Sequence, residues 1–155
     1  MSFPEKSASA INRIAQDCIA VRVRLINRVI SALYDEELRP YGLRISQVNL
    51  LVGIASQGEV RPTDLCRALR IEKSTLSRDV ELMKRQGWVE SAPPHGGKNQ
   101  ILRLTPQGLH LLEATVPAWE AAQAKATELL GELGVAQLQA TATRLGFGQV
   151  ANEQP

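Results

Sequence analysis

Aromatic side chains make up only 4% of the 155 residues, two each of Trp, Tyr and Phe. A platform that stacks unpaired bases of RNA or single strands needs more of them. Cysteine is as scarce: Cys18 and Cys66 stand at unrelated positions and make no disulfide framework. The two histidines, His95 and His110, have no carboxylate or cysteine at ligand spacing, so no metal site is expected. No glycine-rich phosphate loop follows a strand, and neither Gly-x-Ser-x-Gly nor His-Glu-x-x-His occurs. No catalytic residue and no cofactor is therefore expected, and the chain does not read as an enzyme. No apolar run approaches the ~20 residues of a membrane span, and the start lacks the three regions of a signal peptide. The expectation is a cytoplasmic protein without a membrane partner.

What is present is ordinary in bulk and uneven in placement. Hydrophobic residues at 44% and charged residues at 22% suit one globular domain with a core. The net charge is +2. From Arg61 to Arg103, however, nine Lys or Arg face five Asp or Glu, while the remainder holds nine basic and eleven acidic residues. Positive charge concentrated on one segment has a use against phosphates, which supply most non-specific affinity for nucleic acid.

That segment carries the clearest local pattern. In Arg61–Gly87, Pro62 suits the first helical position and Asp64 the first turn, where the helix dipole favours negative charge. Leu65 and Leu69 share one face. Arg70-Ile71-Glu72 is a connector long enough only for a turn. A second helix from Lys73 to Gln86 would bury Leu76, Val80 and Met83 and stop at Gly87. Lys73, Ser74, Thr75, Ser77, Arg78 and Lys84 are left facing outward. This is helix-turn-helix logic: one face docks and the other enters the major groove. Arginine is the usual reader of guanine, and small hydroxyls serve base or phosphate, so Ser74, Thr75 and Arg78 are candidate groove contacts. Ser77 lies on the same face. Lys73, Lys84 and Arg61 are candidate phosphate contacts.

A strand starting at Trp88-Val89, a Pro-, Gly- and Asn-rich turn over 92–99, and a returning strand Ile101–Leu104 follow. Thr105 and Pro106 then read as N-cap and first residue of a new helix. The order is that of a winged helix-turn-helix, with Lys98 and Asn99 on the wing tip and aimed at the minor groove.

The chain resembles the MarR family of transcriptional regulators over nearly its whole length. The residues that carry the resemblance are Tyr34-Asp35, Leu38, Tyr41-Gly42-Leu43, Ser46-Gln47, Leu50-Leu51, Asp64-Leu65, Leu69, Lys73–Arg78, Gly87-Trp88-Val89 and Leu102–Gly108. The wing departs from the family pattern Asp-x-Arg: here Gly96-Gly97-Lys98 lacks the acidic residue, and Lys stands for Arg. The resemblance implies a mainly α fold, a winged helix-turn-helix with a two-stranded wing, and long terminal helices that pair two copies. It also implies an effector cleft between the dimer helices and the reading module. Residues 46–104 form that module, within a single chain spanning 1–155.

The resemblance implies that the flanking segments, 10–38 and 106–145, are the dimerisation helices. The first reads as one helix from Ala10 to Leu38, ending before Pro40. Its apolar residues make two stripes, one from Ile14 through Cys18, Val21, Leu25 and Val29 to Leu33, the other from Ile19 through Val23, Ile26 and Ile30 to Tyr34. One chain covers one side, and a second copy covers the other. Ser46 is the expected N-cap of the next helix, which runs to Ser56 and buries Val48, Leu51, Val52 and either Ile54 or Ala55. The helix from Pro106 is expected to kink at Pro117 and to break at Gly131 and Gly134 before a last helix over 135–145. Residues 1–9 read as frayed. Asp35-Glu36-Glu37 reads as a solvated acidic face.

Two further features carry alternatives. Tyr34 and Trp119 are candidate walls of a pocket for a small apolar or aromatic effector; core packing is the plainer assignment for Trp119. Cys18 is a redox candidate, because family members that respond to organic peroxides carry a first-helix cysteine near tyrosines. Its apolar neighbours favour a buried structural thiol, and Tyr34 lies ~24 Å along the same helix. The function expected is a homodimeric, sequence-specific repressor on palindromic duplex DNA. A winged helix that binds protein is the rival class.

Overall fold

The computed structural model describes residues 5–92 and 100–147. Six helices and one hairpin follow in the order α1 (Glu5–Asp17), α2 (Ile19–Leu38), α3 (Ile45–Gln57), α4 (Pro62–Leu69), α5 (Lys73–Arg85), β1 (Val89–Ala92), β2 (Ile101–Leu104) and α6 (Pro106–Arg144). The mainly α winged fold is as expected.

The first helix is two helices. Cys18 has φ −67 and ψ 109, outside the helical region, and separates α1 from α2. No proline or glycine marks the break. Ile11, Ile14, Ile19, Val21, Val23, Leu25, Ile26 and Val29 are all exposed in the protomer, so no packing holds the helix straight there. The N-terminal residues expected to fray are helical from Glu5. Farther along, α2 meets the core: Tyr34 and Leu38 are buried, and Ile30 and Leu33 pack against them.

A single 3-10 turn, Arg39–Tyr41, carries Pro40, and Gly42 at φ 69 reverses the chain. The acidic run before it is not merely solvated. Asp35 accepts a hydrogen bond from the Ile45 amide at 2.8 Å, and Glu37 pairs with Lys125 of α6. Asp35 thus caps α3 from across the turn, and Ser46, the expected N-cap, lies inside the helix. The Arg44 amide donates to the buried Gln47 Oε1 at 3.0 Å, satisfying a second orphan donor. Helix α3 buries Gln47, Val48, Leu50, Leu51 and Ile54, whereas Val52, expected inside, is 51% exposed.

The hairpin pairs Val89 with Leu104 and Ala92 with Ile101, antiparallel. Val60, ahead of α4, exchanges backbone hydrogen bonds with Leu102 at 3.0 and 2.8 Å. The returning strand is therefore held on both edges, and the hairpin is tied to the segment that launches the helix-turn-helix. Leu38, Leu51, Ile54, Leu65, Leu76, Met83 and Leu102 fill the centre of the core. Each contributes about 1.5–3 kcal/mol by leaving water.

Helix α6 starts at Thr105, whose hydroxyl accepts from the Gly108 amide at 3.0 Å. Its N-terminal half packs on α2 through Ala122 and Ala126, and the Tyr34 hydroxyl donates to Gln123 Oε1. Pro117 sits inside the helix; the residue that leaves helical geometry is Gly131, at φ 70 and ψ 158.

Candidate nucleic-acid interface

The α4–turn–α5 unit is held by its inner face. Leu65 of α4 and Leu76, Val80 and Met83 of α5 are buried. Their spacing of four and three residues puts them on one side of α5. The opposite side carries Lys73, Ser74, Thr75, Ser77 and Arg78, and all five are exposed. Ser74, Ser77 and Arg78 stand one helical turn apart, so their side chains share a surface.

The start of α5 adds backbone chemistry. Glu72 is the N-cap and makes no side-chain capping bond. The first-turn amides and the positive end of the helix dipole are turned toward the same region as Lys73 and Ser74, an arrangement that suits a phosphate.

The basic excess is not equally available. Arg67 pairs with Asp64 at 3.1 Å, and Lys84 with Glu81 at 3.2 Å. Arg103 meets Glu90 at 2.6 Å and Glu59 at 3.6 Å, bracing the base of the wing. Arg61, Lys73, Arg78 and Arg85 make no ion pair among the described residues. Arg61 is the exposed N-cap residue of α4. Lys84, named from sequence as outward-facing, is half-buried and already partnered. Arg85, exposed at the end of α5, was missed; its signal was only its place in the basic run. Lys98 and Asn99, with Gly96 and Gly97, lie outside the described residues.

The effector candidates separate. Tyr34 is 8% exposed and acts as a packing bridge to α6, whereas Trp119 is 41% exposed, one turn before Gln123. Burial pushes the Tyr34 phenol above its usual pKa, so it stays a donor. Two shallow concavities stand out among the described residues. One is lined by Ala10, Arg13, Ile14, Asp17 and Cys18, the other by Ala55, Gly58, Leu104, Thr105, Pro106 and Leu109. Neither includes Tyr34 or Trp119. Cys18 is half-buried at the α1–α2 break and is not bonded to Cys66.

Residues 41–98, which hold this unit, match the family model described as MarR family. The reading module is of the MarR family. The multiple antibiotic resistance protein MarR of Salmonella typhimurium is 25% identical over 92 residues, 59% of this chain and 64% of the relative's length. The match therefore spans just under two thirds of that relative. The uncharacterized HTH-type transcriptional regulator YwoH of Bacillus subtilis is 26% identical over 78 residues, 50% of this chain and 57% of that protein. Among solved structures, a cysteine-to-serine mutant of E. coli MarR complexed with operator DNA superposes with a TM-score of 0.76 at 21% identity. That alignment covers 86% of this chain and 96% of the mutant MarR chain. A probable transcriptional regulator from Pseudomonas aeruginosa gives 0.75 at 24% identity, covering 84% and 98%. These likenesses establish the MarR winged-helix fold along most of the chain. No helix among the described residues is long and apolar enough to cross a membrane.

Proposed function

We propose that this MarR-family protein is a homodimeric transcriptional regulator that binds palindromic duplex DNA and represses the genes beside it. The observation that carries the reading is the division of α5: Leu76, Val80 and Met83 dock it, and Lys73, Ser74, Thr75, Ser77 and Arg78 are presented to solvent. Arg78 reads a base edge with Ser74 and Thr75 beside it, while Lys73 and Arg61 hold phosphates. The likeness of the fold to a MarR structure complexed with operator DNA supports the reading.

Dimerisation rests on the bare apolar faces of α1 and α2, where Ile14 is 67% and Ile19 74% exposed, and on Leu133 at 72% beyond Gly131. Apolar surface on this scale calls for a partner, and a second copy supplies the two-fold symmetry that a palindrome needs. A small apolar or aromatic effector bound beside Trp119, between the dimer helices and the reading module, would alter the separation of the two recognition helices and release the DNA.

Selection of bound fragments from genomic DNA tests the function. The expected result is enrichment of one palindromic sequence, with affinity that falls steeply with salt. Retention of no duplex at low salt would favour the rival, a winged helix used to bind protein.

A further inference from the structure

Arg70 is the one residue other than glycine with a positive φ among the described residues, at φ 52 and ψ 44. It ends α4 in the geometry usually given to glycine. Its amide bonds the Arg67 carbonyl, and the next amide, Ile71, bonds the Cys66 carbonyl at 3.1 Å. A side chain with a Cβ is disfavoured there, and such strain persists where the side chain has work elsewhere. Here it does. Arg70 Nη2 donates to the Leu145 carbonyl at 2.7 Å, 75 residues away. Leu145 is the C-cap residue of α6, where carbonyls lack intrahelical donors and the dipole attracts a cation. Gly131, at φ 70 and ψ 158, is the corner that redirects α6 before this end. Among the described residues no other hydrogen bond or ion pair joins the helix-turn-helix to the chain beyond Gly131.

We propose that Arg70 is a latch: it ties the terminal strap 132–145 to the helix-turn-helix turn, so that the position of the strap sets the stance of α5. The consequence for DNA rests on the function proposed above. The latch itself is a property of the free protein and is tested without DNA. Arg70 is a positioning residue and touches no base in this scheme.

Arg70→Gly separates the two roles of the position, because glycine keeps the helix cap and relieves the backbone while deleting the guanidinium. The expected result is thermal stability equal to or above wild type, with several-fold faster hydrogen exchange at the Leu145, Gly146 and Phe147 amides. Arg70→Lys, which retains a donor, restores part of the protection. On operator DNA, Arg70→Gly and Gly131→Ala each shift affinity in the same direction by about two- to tenfold, and the double variant shifts it no further. Unchanged exchange beyond Gly131 in Arg70→Gly overturns the latch. So do additive effects of the two variants. A salt dependence flattened by about one unit, with exchange unchanged, marks Arg70 as a phosphate contact and overturns it too. Wild-type protein that retains no DNA overturns the proposed function alone, and the exchange result still decides the latch.

Discussion

A Cβ on Gly108 would stand 2.1 Å from the carbonyl oxygen of Trp88. The same carbonyl accepts from the Thr105 amide at 3.1 Å, and the Thr105 hydroxyl donates to the Gly87 carbonyl at 2.6 Å. The end of the reading module and the start of α6 are thus locked by close backbone approach and by the Thr105 hydroxyl.

Gly108→Ala should therefore displace α6 from the Trp88 carbonyl and lower stability by about 1–3 kcal/mol. Urea unfolding followed by helical circular dichroism measures it. A midpoint within error of wild type would mean that the joint is looser than this packing implies.

Cys18→Ser should be stabilising by up to about 1 kcal/mol. From sequence the opposite holds, because a buried stripe position would lose stability on gaining a hydroxyl. In the structure Cys18 is the N-cap of α2 and makes no side-chain capping bond, a role serine fills better. DNA binding should stay insensitive to organic hydroperoxide in both forms. Loss of binding that Cys18→Ser abolishes and Cys66→Ser does not would instead make the protein a redox switch.

Tyr34→Phe should remove a donor from Gln123 and weaken the α2–α6 contact by about 1 kcal/mol at neutral pH. Burial raises the folded pKa of Tyr34 above its unfolded value of about 10. Its contribution is then complete below the unfolded pKa and is lost as pH rises through the folded one. Wild type should lose stability faster than Tyr34→Phe above about pH 10, as read by denaturation midpoints; parallel curves would refute the assignment.

Arg78→Ala should lose about 1–3 kcal/mol of specific binding and relax preference at one base pair. Lys73→Ala should weaken all duplexes alike and flatten the salt dependence by about one unit. Lys84→Ala should do less than Lys73→Ala, because Glu81 already partners Lys84. Titrations on matched and mismatched duplexes at several salt concentrations rank the three. Equal loss for every sequence in Arg78→Ala would make it a phosphate contact.

Leu25→Glu should yield monomer with helical content retained. Leu25 is 60% exposed in the protomer, so a charge there opposes association and not the protomer fold. Sedimentation at micromolar concentration decides; an unchanged dimer would move the interface elsewhere.

Much of the reading module was legible because its signals are local. Pro62, Gly87, Thr105 and Pro106 act on their own turns, and Leu76, Val80 and Met83 mark a face by spacing alone. Lys73, Ser74, Thr75, Ser77 and Arg78 are exposed for the complementary reason. The misreadings share a cause in partners distant along the chain. Ser46 was the local capping candidate, but Asp35 reaches the Ile45 amide from another helix. Val52 looked buried until the packing of α3 turned it outward; Lys84 is the exception, its partner Glu81 standing only three residues back on α5.

Sequence alone determined the order of elements, the docked face of α5 and the N-cap at Thr105, since residues a few positions apart meet whenever their helix or turn forms. Tertiary structure decided the rest. It placed the break at Cys18, where nothing in the protomer braces the helix, and brought Arg70 to Leu145 across 75 residues. Contacts of that separation depend on where whole elements come to rest, and no local spacing encodes that.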